Sequence, residues 1–130
     1  MIPKELAEKE IQKWLDFKKV SQTKRKDKKD AINVLVNAIT DGNLVLTDNL
    51  LLEQTLNFPL GKDTKITKLV YKNRLSVAEI QQETSNMAST DVYAMIGAYI
   101  ACLTEQPKAI VFLLDTEDYS IAQSIASFFI

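Results

Sequence analysis

The sequence predicts a single mainly helical α+β fold, with a small strand or hairpin element near residues 44–71. Three observations predict it. Apolar residues recur at helical spacing over most of the chain. Between residues 44 and 71 that period is lost, and short apolar and β-branched runs flank turn-forming residues. The 130 residues, 46% hydrophobic and 25% charged, have the proportions of one ordinary globular domain.

The elements follow in order. Pro3 suits a first helical turn, because its missing N–H would be unpaired there. Leu6, Ile11, Trp14 and Leu15 then give a narrow stripe, which predicts a helix over residues 3–19. Residues 18–29 (KKVSQTKRKDKK) hold seven basic residues and one acid, a net of +6, leaving −7 for the remainder. Residues 20–29 lack a hydrophobic period and read as an exposed turn or flexible connector, with a continued helix as the alternative. The N-terminal helix and basic connector thus occupy residues 1–29, and one globular domain residues 30–130.

Ile32, Leu35, Val36 and Ile39 form an i, i+3, i+4, i+7 stripe, with Asp30 at its start and Gly42 past its end. Leu44–Leu46 and Leu50–Leu52 flank Thr47-Asp48-Asn49, which reads as a hairpin, although the leucines leave a helical second run open. Asn57 and Pro59 are expected to break any regular element. Lys65–Tyr71 (KITKLVY) reads as a strand. Ser76 and Glu79 fit a capping box for a helix running to about residue 86. Residues 84–90 read as a loop, with Thr90 or Asp91 capping the next helix. Val92, Met95, Ile96, Tyr99, Ile100 and Leu103 predict a broad buried face. Gly97 and Ala98 leave room for a close neighbour. Pro107 opens a short helical turn, and Asp115 and Asp118 mark the start of a last helix carrying Tyr119, Ala122, Ile125, Phe128 and Phe129.

Composition excludes much chemistry. Histidine is absent, Cys102 is the single cysteine, and Gly42, Gly61 and Gly97 are isolated. These counts exclude an intrachain disulfide, a cysteine zinc site and a glycine-rich phosphate loop. Cys102 has no histidine to activate it and reads as core packing. Asp115, Glu117 and Asp118 read as helix-start acids rather than a catalytic pair or a cation site. No catalytic, metal or cofactor residues are expected, and the chain is not expected to be an enzyme. The acidic N-terminus lacks the apolar run of a signal peptide, and no stretch approaches the ~18 apolar residues of a membrane span. A reducing cytoplasmic setting is the expectation.

Two features invite partners. Lys24, Arg25, Lys26, Lys28 and Lys29 could contact a polyanion, so a nucleic-acid-binding accessory protein is the alternative function; a solvated segment is the plainer reading. Trp14 is either a partner anchor or packing for its own domain, and Phe128, Phe129 and Ile130 either pack into the core or offer an apolar patch to a partner.

From Leu44 onward the order of elements resembles the small tail assembly chaperones of long-tailed bacteriophages. Leu69-Val70-Tyr71-Lys72-Asn73-Arg74-Leu75 followed by Ser76-Val77-Ala78-Glu79 is similar to their "L-x-L-R/K-x-P/R-x-x-x-E/D" strand-to-helix step. Leu103-Thr104 is similar to their helix ending in "L-T-G". Asp118-Tyr119 and Phe128-Phe129 are similar to a final helix opening on "D-Y" and closing on a phenylalanine pair. The likeness covers about residues 44–129. It departs where Asn73-Arg74 stands near the usual proline and where Glu105 replaces the glycine. The resemblance implies a protein without catalytic residues, working in the host cytoplasm. Such a protein coats the tape measure protein, recruits tail tube subunits and leaves the finished particle. It implies a partner face on the final helix, at Tyr119, Ile125, Phe128 and Phe129, with Trp14 as a further candidate. Self-association stays open, and a longer frameshifted form is frequent in that family.

Overall fold

The computed structural model describes residues 2–63, 65–85 and 91–130. In chain order the elements are α1 (Lys4–Phe17), α2 (Gln22–Asp27), α3 (Lys29–Thr40), β1 (Leu44–Leu46), β2 (Leu52–Leu60), β3 (Ile66–Tyr71), α4 (Val77–Thr84), α5 (Val92–Thr104), α6 (Lys108–Val111) and α7 (Thr116–Ala126). Helices dominate, and one antiparallel sheet has the order β1-β2-β3. The fold is mainly helical α+β, as the sequence predicts.

One apolar core holds the elements together. Ile11, Trp14 and Leu15 from α1 join Leu35 and Ile39 from α3, Leu52 from β2, Ile100 and Leu103 from α5, and Ile125 from α7. The expected N-terminal arm therefore shares its core with residues 30–130. The basic tract is also ordered: Ser21 Oγ accepts the Lys24 amide at 3.1 Å and starts α2. It does not simply prolong α1, because Lys19 takes a left-handed conformation (φ 59°) and Val20 N–H closes back on the Leu15 carbonyl. This is a Schellman stop made without glycine.

The hairpin forms as expected, with Leu44 opposite Gln54 and Leu46 opposite Leu52. Asp48 and Asn49 turn the chain, and Leu50 takes φ 63°. The second apolar run enters a strand, not a helix. The expected break at Asn57 and Pro59 does not occur, since β2 continues to Leu60 with a register irregularity between Thr55 and Leu60. The reason lies across the fold. β1 begins only opposite Gln54, and beyond that point the Asp118 carboxylate is the acceptor: Oδ1 receives the Asn57 amide at 2.9 Å and Oδ2 the Phe58 amide at 3.0 Å. Pro59 has no N–H to lose there.

The capping box at Ser76 and Glu79 is present on α4. Of the loop expected over 84–90, residues 86–90 lie outside the described residues. Asp91, rather than Thr90, caps α5 through the Ala94 amide.

Candidate binding surface

Two clusters of large apolar side chains decide how this molecule can meet a partner. The first is the end of the chain. Trp14 is 1% exposed, Ile125 0% and Phe128 3%, while Phe129 and Tyr119 are half-buried. The Trp14 and Phe128 rings meet edge to face, with centroids 5.7 Å apart. Trp14 Nε1 donates to Asn73 Oδ1 at 3.3 Å, tying α1 to the loop after β3. The expected partner face is thus turned inward, because its aromatic residues are what close the core between α1 and the chain end.

The basic tract closes the same corner. Lys24 Nζ donates to the Phe128 carbonyl at 3.2 Å. Arg25 donates to the Val20 carbonyl and to Gln12 Oε1, and pairs with Asp16 at 2.9 Å. Lys18 Nζ lies 3.4 Å from the Phe129 ring centroid and donates to the Asn73 carbonyl. Burial, with repulsion from Arg74 and Lys24, lowers the Lys18 pKa to about 8. Lys24 and Arg25 are thus engaged by oxygens of the fold itself. Lys26 and Lys29 are exposed and Lys28 is half-buried.

The second cluster lies outside, and it includes Val92, which the sequence places on the buried face of α5. Ile100 and Leu103 are buried, but the first turns of α5 emerge from the core. Val92 is 62% exposed and Tyr93 73%; beside them, after α6, Phe112 is 53% exposed and Leu113 64%. Gly97 holds this face together. A Cβ there would fall 2.7 Å from the tip of the Phe112 ring, so the missing side chain lets the ring lie on α5. Tyr93 stands one turn from Gly97 on the same side of α5. The neighbouring Tyr119 hydroxyl is buried with no hydrogen-bond partner among the described residues. Its pKa is raised by burial and by Tyr93. One hint was legible in the sequence, the glycine at 97. None was legible for residues 112 and 113, which follow a helix too short to show a period.

Elsewhere several polar groups are engaged with one another. Gln54 Nε2 donates to the Asp118 carbonyl, and Tyr71 donates its hydroxyl to Gln54 Oε1. Burial raises the Tyr71 pKa. Asp115 caps α7 as expected, whereas Asp118 serves β2. Cys102 donates its thiol to the Glu79 carbonyl, and burial followed by Glu83 raises its pKa. It lines a shallow groove of about 400 Å³ with Lys72, Glu79 and Glu105. Lys72 and Glu79 form an ion pair. Among the described residues, no three histidine, cysteine, aspartate or glutamate side chains are placed to hold a metal. No described helix is long and apolar enough to cross a membrane.

No protein-family profile, curated protein or solved structure matches this chain.

Proposed function

We propose that this chain is a non-enzymatic tail assembly chaperone of a long-tailed phage, which covers the tape measure protein and assists tail tube assembly in the host cytoplasm. The observation that carries the reading is the exposed apolar face of Val92, Tyr93, Phe112 and Leu113. Isolated exposed apolar residues need no explanation, but four large ones on α5 and just after α6, one of them seated on Gly97, suit a protein-binding surface. A tape measure is long and largely helical, so its apolar stripes need cover before assembly.

A second observation supports the family resemblance. The family's helix ends in Leu-Thr-Gly, and this chain's α5 ends Leu103-Thr104-Glu105. Glu105 takes φ 56°, and Gln106 N–H returns to the Ala101 carbonyl. This left-handed position favours glycine. The departure from the motif thus falls on the residue whose conformation accounts for the motif.

The nucleic-acid alternative loses support, because Lys18, Lys24 and Arg25 are spent on the protein's own carbonyls and carboxylate.

The test is co-expression with the tape measure protein encoded beside this gene. The chaperone reading expects the tape measure to stay soluble and to co-purify with this chain. Neighbouring genes that lack a tape measure, or a tape measure equally insoluble with and without this chain, would contradict it.

A further inference from the structure

We infer that the α5–α6 face takes a basic amphipathic helix: an apolar stripe flanked by lysine or arginine. This deepens the proposed function and rests on it only for the partner's biological name.

The partner must be a helix because of what the face offers. At the start of α5 Asp91 takes the Ala94 and Met95 amides, and beyond them the backbone pairs within the helix, so an incoming strand would find no ladder of alternating donors and acceptors to extend. A helix brings its own satisfied backbone and needs only side-chain complementarity. Val92 and Ile96 stand one turn apart on α5, and so do Tyr93 and Gly97. The resulting rows, with the Phe112 ring bridging at Gly97, offer ridges and a groove for another helix.

The partner must be basic because of how charge is divided. Residues 1–74 carry 15 basic and 10 acidic residues, a net of +5. Residues 75–130 carry seven acids against Lys108 as the single basic residue, a net of −6. The whole apolar face belongs to the acidic part. Asp91 precedes Val92 directly, and Asp115 and Glu117 follow Leu113 within four residues. Glu117 is exposed. Lys108 donates to the Glu83 carbonyl at 3.1 Å. An apolar face flanked along the chain by Asp91, Asp115 and Glu117 attracts a cationic amphipathic helix and repels an anionic one or an anionic lipid surface.

The experiment uses the full chain and two synthetic peptides of about 20 residues with the same leucine–alanine stripe. One has lysine and arginine flanks, the other glutamate flanks. Fluorescence anisotropy at low salt should show the basic peptide binding at least about tenfold more tightly, with the gap closing as salt rises. Tyr93→Ser combined with Leu113→Ser should weaken the basic peptide by at least about tenfold. Glu117→Lys should narrow the preference between peptides. Both changes are on exposed positions, and an unchanged thermal melt confirms the fold. Val92→Ser serves as a second variant if the double one melts early. Equal binding of both peptides overturns the inference, and so does binding indifferent to Tyr93, Leu113 and Val92. Concentration-dependent dimers lost in the same variants would show a second copy as the occupant and overturn it too. A chain that binds the basic peptide as described yet leaves the tape measure insoluble refutes the chaperone reading alone. One that keeps the tape measure soluble but ignores the peptides refutes only this inference.

Discussion

The two aromatic clusters have opposite fates: one is enclosed, the other exposed. Trp14, Phe128 and Phe129 are enclosed by α1 and α7, and the Trp14 indole, Lys18 and Lys24 each donate to a neighbouring oxygen. Tyr93, Phe112 and Leu113 share the same chemistry, but only Gly97 and its neighbours stand beneath them. The difference teaches that an aromatic pair near a chain end is a closure when charged side chains reach its carbonyls. An apolar run is a surface when the helix bearing it outreaches the core.

The comparison breaks most visibly at Trp14. Trp14→Ala should cost about 3–5 kcal/mol in urea unfolding, as expected for a large buried ring. A partner anchor on the surface would cost far less. Asp118→Ala comes next. It strands the Asn57 and Phe58 amides and should cost about 3 kcal/mol, against about 1 for Asp115→Ala, which removes only a helix cap. Equal costs at the two positions would dissolve the distinction between latch and cap.

Smaller effects sharpen the picture. The Lys18 pKa of about 8 lies below the ordinary 10.5, so the unfolded chain holds more protons between those values. Stability should therefore rise as pH climbs from about 8 to 10.5, by about 1 kcal/mol after allowing for solvent screening. Lys18→Met should abolish that rise. Glu105→Gly relieves a left-handed glutamate and should stabilise by about 1 kcal/mol in thermal unfolding. At the other cluster, Tyr93→Ser and Leu113→Ser should each change stability by less than about 0.5 kcal/mol. A large loss there would return this face to the core.

Much of the fold was legible, for local reasons. The stripe of α3, the Thr47–Asn49 turn, the β-branched strand at 66–71 and the Ser76–Glu79 box each depend on residues within one or two turns of one another. What was not legible depends on distant residues. Asn57 and Pro59 looked like a break because the acceptor that rescues β2, Asp118, lies some sixty positions on. The basic tract looked like a solvated connector because its partners are carbonyls at the other end of the chain. Burial was the hardest quantity to read. A helical stripe shows which side of α5 is apolar but not how far along its length the core extends, so Val92 and Ile100 looked alike.

The most direct test of the account is hydrogen–deuterium exchange of the full chain with and without the tape measure protein proposed as its partner. Protection confined to residues 92–97 and 108–113, with residues 14–18 and 118–129 unchanged, is the predicted result. Protection centred on α7 and Trp14, with the α5–α6 face unaffected, would contradict it.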